Sequence, residues 1–143
     1  MVGRKQQALQ MRRDVYSGYL KLDGEQHLRT LIAADNYALS LNHLKRFKEA
    51  KSLMRKTRPV AQSVLGASND ITIRMMRSYA QSLYRNPGAT LDDLREAVST
   101  LEDAERIARR VFGGAHPLVL ALESSIRLSR KALQTREASP GAA

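Results

Sequence analysis

The chain contains no cysteine and no tryptophan, and its aromatic residues are only five tyrosines and two phenylalanines. Without cysteine it can form no disulfide, no cysteine-based zinc site and no thiol nucleophile. Glycine and proline are scarce, with eight and four residues, and β-branched runs are short, which argues against an all-β sandwich or barrel. No apolar run approaches the roughly 18 residues of a membrane span, and residues 1–10 lack the apolar core of a signal peptide. These absences predict a soluble, cytoplasmic protein.

Hydrophobic residues make up 43% of the 143 residues, which is enough for the core of one domain. Lysine and arginine number 24 against 14 acidic residues, so the formal net charge is +10. This excess favours acidic partners, but charge alone does not distinguish an acidic peptide from nucleic acid or a membrane surface.

Glycines divide the chain at related intervals. Gly24 and Gly66 are 42 residues apart, and Gly66 and Gly113 are 47 apart. Near each glycine lies a polar residue that can cap a following helix. The offset of 42 recurs between Thr30 and Thr72, Tyr37 and Tyr79, Ala38 and Ala80, and Leu41 and Leu83. A period in this range indicates a repeat architecture.

The extra five residues of the second unit fall between Leu83 and Glu96. The turn-like segment 86–90 accounts for them, so the insertion lengthens a loop between helices. Apolar spacings of three and four residues predict six helices, at about 5–22, 28–44, 48–64, 70–85, 91–111 and 117–135.

Local signals refine these helices. Thr90 with Asp93 predicts a capping box, and His116 before Pro117 predicts a helix start. Pro59 falls inside the third helix, where it should kink the chain or shift a boundary. We expect one all-α domain over 1–136, made of half unit 1–23, units 24–66 and 67–113, and half unit 114–136. A disordered tail over 137–143 should follow it.

The repeat resembles a tetratricopeptide array of the 42-residue kind found in kinesin light chains and kinesin-light-chain-like proteins. Unit one supplies Thr30, Asn36, Tyr37, Ala38, Leu41, Phe47, Glu49, Ala50, Leu65 and Gly66. Unit two supplies Thr72, Tyr79, Ala80, Leu83, Glu96, Ala97, Ala104, Phe112, Gly113, His116 and Pro117. The chain departs from the family at the glycine between helices, which is Lys45, and at the asparagine position, which is Ser78 and then Ser125.

The resemblance, over about residues 8–133, implies a right-handed superhelical array of antiparallel helix pairs whose first helices line a concave, peptide-binding groove. Its groove positions here are Ile32, Asp35, Leu39, Asn42, Arg74, Arg77, Gln81, Tyr84, Ala121, Ser124, Leu128 and Lys131, with Arg85 adjacent. The spacing of Arg74, Arg77, Gln81 and Tyr84 places them on one helix face, which is basic and which the core does not need. Arginine suits carboxylates, so we expect a non-catalytic protein–protein interaction scaffold for an extended acidic peptide. A merely solvated charged face is the simpler alternative.

A rival interpretation uses the second-helix cations, which we call the outer basic cluster: Lys45, Arg46, Lys48, Lys51, Arg55, Lys56 and Arg58. These cations either keep the protein soluble or bind nucleic acid or an anionic surface. The aromatic residues that are typical of a nucleic-acid interface do not occur between them. No nucleotide-binding, zinc-protease or hydrolase motif occurs, and of three histidines His27 and His116 lie at equivalent turns that suit helix capping. We expect no enzyme activity, no cofactor and no metal.

Overall fold

A computed structural model describes residues 3–139. This part of the chain forms six α-helices and no strands: α1 (Arg4–Asp23), α2 (Leu28–His43), α3 (Phe47–Leu65), α4 (Asp70–Tyr84), α5 (Leu91–Phe112) and α6 (Pro117–Glu137). The all-α class and the six predicted helices are confirmed, with every boundary within two residues. The predicted tail begins inside the last turn of α6, and residues 140–143 lie outside the described part.

The three turns between units share one construction. Gly24, Gly66 and Gly113 end α1, α3 and α5 with φ of 83°, 91° and 88°, in the left-handed region that favours glycine. Each donates its N–H to the carbonyl four residues earlier. A polar side chain then accepts an amide N–H at the start of the next helix, in turn His27, Asn69 and His116. The capping role predicted for the two histidines is confirmed.

The turns inside the units differ from one another. Lys45 has a φ of 62° and is the only non-glycine residue of the described chain with a positive φ, so it takes the conformation for which glycine is suited. Thr90 and Asp93 form the predicted capping box at α5. Pro59 does not shift a boundary, because α3 continues through it to Leu65.

The helices form two layers: a first layer of α2, α4 and α6, and a second layer of α1, α3 and α5. Each helix packs against its neighbour in sequence, and α2, α4 and α6 also pack side by side. Among the described helices, α1, α3 and α5 make no such contacts with one another. The closer approach of α2, α4 and α6 makes their open side the concave side of the array. Ala38, Ala50, Ala80 and Ala97, which are small residues of the repeat pattern, are fully buried.

Replacing Ala80 with leucine should destabilise the protein by about 1–3 kcal/mol, because a close-packed site must absorb the larger side chain. The residue is fully buried on α4, which packs against both α3 and α5. Urea unfolding measures the change. Ala121→Leu is the matched control, since Ala121 is only half-buried on α6. Equal stabilities of Ala80→Leu and the parent would contradict the close approach of helices at this residue.

Candidate functional site

A row of polar side chains runs along the open face of α4. Arg74 and Arg85 are exposed, and Arg77 and Gln81 between them are half-buried. These residues recur every three or four positions, so they share one side of the helix. The structure therefore brings together four of the predicted groove residues of unit two. We call these four the arginine row.

Serines link the first-layer helices beneath this face. The Asp35 Oδ1 atom of α2 accepts a hydrogen bond of 2.7 Å from Ser78 Oγ of α4. The Arg77 Nε atom of α4 donates one of 3.0 Å to Ser125 Oγ of α6. Asp35 and Arg77 occupy the same repeat position, 42 residues apart, and the two serines are 47 apart. Equivalent positions therefore form a hydrogen bond with a serine of the next unit twice, through a carboxylate at Asp35 and through a guanidinium at Arg77. The repeat offsets of 42 and 47 residues were the sequence signal that could have predicted these contacts.

Three residues at predicted groove positions, Asp35, Asn42 and Tyr84, are buried and so are not exposed on the concave face. Asp35 and Asn42 lie where α2 packs against α4, and Asn42 Nδ2 donates a hydrogen bond of 3.1 Å to the Ser78 carbonyl oxygen. Because α2 and α4 pack side by side, fewer residues of each helix are exposed on the concave face than the helical spacing alone predicts. Tyr84 is buried in the core cluster that also contains Ala89 of the inserted loop.

Burial decides the electrostatics of Asp35. Desolvation raises the pKa of its carboxyl, against smaller lowering effects of the Ser78 hydrogen bond and of Arg74 and Arg77. Because the folded pKa is raised, burying this carboxyl costs folding free energy at neutral pH, and the cost shrinks as the pH falls towards the ordinary value. Asp70 of the same helix is half-buried, and its carboxylate lies 3.7 Å from Arg74 Nε.

Apolar side chains flank the arginine row on both sides. On α2, Ile32 is exposed and Leu39 is half-buried; these are the repeat positions of Arg74 and Gln81. On α6, Leu128 is exposed at the next repeat position of Gln81, and Lys131 is exposed beyond it. The concave face thus combines a basic centre with apolar edges.

The outer basic cluster does not form one free surface. Four of its seven cations have partners within the chain: Arg46 with Glu49, Lys51 with Asp93, Arg55 with the Tyr79 hydroxyl, and Arg58 over the Tyr79 ring. Lys48 and Lys56 line a separate outer groove of about 450 Å³ floored by Tyr37 and Leu41. The cations of this cluster therefore point to different surroundings. The arginines of the arginine row also have partners within the chain, namely Asp70, Ser125 and the ring of Phe47.

Within residues 3–139, no group of three or more histidine or acidic side chains is placed to hold a metal ion. None of the helices in that range combines the length and apolarity needed to cross a bilayer. No protein-family model and no curated protein matches the chain.

Proposed function

We propose that the chain is a non-catalytic, tetratricopeptide-type scaffold of the kinesin-light-chain-like kind, which binds an extended acidic peptide along the concave face. The observation that carries the proposal is the arginine row: Arg74, Arg77 and Gln81 lie along one side of α4, outside the hydrophobic core, and Arg85 follows at the C-cap, where its guanidinium lies 5.6 Å from the Phe47 ring centroid. The right-handed superhelix implied by the repeat pattern is part of the same proposal.

The composition of the face determines the kind of peptide. Guanidinium groups form charge-assisted and often two-point hydrogen bonds with carboxylates, so glutamate or aspartate side chains suit the arginine row. The exposed side chains of Ile32 and Leu128 lie to either side on α2 and α6 and suit apolar residues of the same peptide. A peptide with a central acidic stretch and apolar residues at both ends matches this arrangement.

Fluorescence anisotropy with two labelled peptides tests the proposal. Both have the same length and apolar ends, and their central residues are glutamate in one and glutamine in the other. We expect the glutamate peptide to bind more tightly, and Arg74→Glu/Arg85→Glu to weaken its binding about tenfold or more, equivalent to about 1.4 kcal/mol. Salt should weaken the parent complex, because exposed charges are screened over about 8–10 Å at physiological ionic strength.

The matched control is Lys48→Glu/Lys56→Glu, which makes the same change in charge at exposed positions of α3. Equal weakening by both double variants would indicate non-specific attraction and contradict the groove. A different result would favour the outer basic cluster as the functional surface. In that case the parent chain binds an oligonucleotide rather than the peptide, and only Lys48→Glu/Lys56→Glu loses that oligonucleotide binding.

A further inference from the structure

One guanidinium of the arginine row is held by a serine of the neighbouring helix. Arg77 Nε on α4 donates a hydrogen bond of 3.0 Å to Ser125 Oγ on α6. Ser125 is 1% exposed, so this acceptor lies inside the contact between the two helices. Within residues 3–139, neither terminal nitrogen of Arg77 forms a hydrogen bond or an ion pair, and both reach solvent. These two nitrogens are therefore the donors that Arg77 can offer to a ligand.

The equivalent contact one unit earlier offers no such donors. Asp35 occupies the repeat position of Arg77, and its carboxyl accepts a hydrogen bond from Ser78, the equivalent of Ser125. Asp35 is only 6% exposed, and its side chain is a carboxyl group like those of the proposed peptide. Of the two serine contacts, only the one at Ser125 therefore holds a cation that stays accessible on the concave face.

The contact with Ser125 restricts how a carboxylate can approach Arg77. A guanidinium can form two parallel hydrogen bonds with a carboxylate either through Nε and one terminal nitrogen or through both terminal nitrogens. Because Nε already bonds to Ser125, the second geometry remains. The same contact restricts rotation of the guanidinium plane, so less side-chain entropy is lost when a carboxylate binds.

Arg77 also differs from the other arginines of the row in its surroundings. It is half-buried, whereas Arg74 and Arg85 are exposed. A charged hydrogen bond in partly desolvated surroundings is weakened less by water and salt than one at an exposed surface. Arg77 should therefore distinguish a carboxylate from an uncharged amide more strongly than the exposed arginines do.

We infer that Ser125 is a positioning residue of the concave face: it holds the Arg77 guanidinium so that both terminal nitrogens bind one carboxylate of the peptide. Ser125 thereby strengthens the preference for glutamate over glutamine at this point of the peptide. The inference rests on the proposed function, because it concerns the same bound peptide.

The glutamate and glutamine peptides described above test the inference. The readout is the dissociation constant of the glutamine peptide divided by that of the glutamate peptide, which we call the carboxylate preference. We expect Ser125→Ala to lower this preference about threefold or more and to leave the affinity for the glutamine peptide unchanged. Ser129→Ala is the matched control, because Ser129 is also buried one turn further along α6 and its hydroxyl bonds to the Ile126 carbonyl oxygen. It should keep the preference of the parent.

A double-mutant cycle separates positioning from packing. Arg77→Met keeps an apolar stem of similar length but can bond neither to Ser125 nor to a carboxylate, so it should lower the preference at least as much as Ser125→Ala. If the serine acts through Arg77, adding Ser125→Ala to Arg77→Met should lower the preference no further. Circular dichroism checks that every variant keeps the helical content of the parent.

Three outcomes would overturn the inference. An unchanged preference in Ser125→Ala or in Arg77→Met, while the parent still favours the glutamate peptide, would contradict the inference alone and leave the proposed function standing. A further fall in preference when Ser125→Ala is added to Arg77→Met would show that the serine acts independently of Arg77. Equal binding of the two peptides by the parent would contradict the proposed function and the inference together.

Discussion

Replacing Tyr79 with alanine is expected to lower the free energy of unfolding by about 3–5 kcal/mol, the range for truncating a large buried aromatic residue. The side chain is 1% exposed and contacts both neighbouring helices. Its hydroxyl donates a hydrogen bond of 2.6 Å to Glu96 Oε2 of α5 and accepts one of 3.3 Å from Arg55 Nε of α3. The Arg58 guanidinium lies 4.8 Å from the ring centroid. The alanine variant loses the ring and all of these contacts, and urea unfolding measures the loss.

Two further variants separate the contributions. Tyr79→Phe keeps the ring and removes the hydroxyl, so it should cost only about 0.5–3 kcal/mol. Burial, with Glu96 adding to it, raises the pKa of Tyr79, so the hydroxyl remains a protonated donor at neutral pH. Tyr37→Ala changes the same repeat position in unit one, where the ring is half-buried, and should cost less than Tyr79→Ala. Equal losses in Tyr79→Ala and Tyr79→Phe would contradict a packing role for the ring.

The helices could be predicted from sequence because their signals are local. Gly66 followed by Asn69 ends one helix and caps the next within four residues, and neither step depends on a distant partner. The offset of 42 between Tyr37 and Tyr79 then identifies the units, because repeated helix pairs must bury the same positions. The inserted loop also follows from sequence, because the offset changes only after Leu83.

The groove could be predicted only in part, because its edges depend on the distance between helices. Spacing alone places Arg74 and Asn42 on the same side of their respective helices. The small side chain of Ser78 accompanies a close contact between α2 and α4, and that contact buries Asn42 and Asp35. The partners of the outer basic cluster could not be predicted either, because they are distant in sequence. Lys51 pairs with Asp93, 42 residues further along the chain, and no local pattern connects the two.

Replacing Leu83 with arginine is expected to lower the free energy of unfolding by about 3–5 kcal/mol, because the charge would be buried without a partner. Leu83 is 2% exposed in the core cluster and lies on α4, which α5 covers. The equivalent residue Leu41 is also buried, whereas the equivalent residue of α6 is already an arginine, Arg130. Arginine should therefore be tolerated at position 130 in the last helix but destabilising at position 83, the equivalent position one unit earlier.

Arg130→Leu is the reciprocal variant. Arg130 is exposed and pairs with Glu102 at the surface, so its loss should change stability by no more than about 1 kcal/mol. Urea unfolding of both variants shows whether the loss of stability depends on burial by a following helix or on the repeat position itself. If Leu83→Arg were as stable as the parent, the packing of α5 would not bury this side of α4, and burial would not explain why leucine stands at this position in units one and two but arginine stands there in α6.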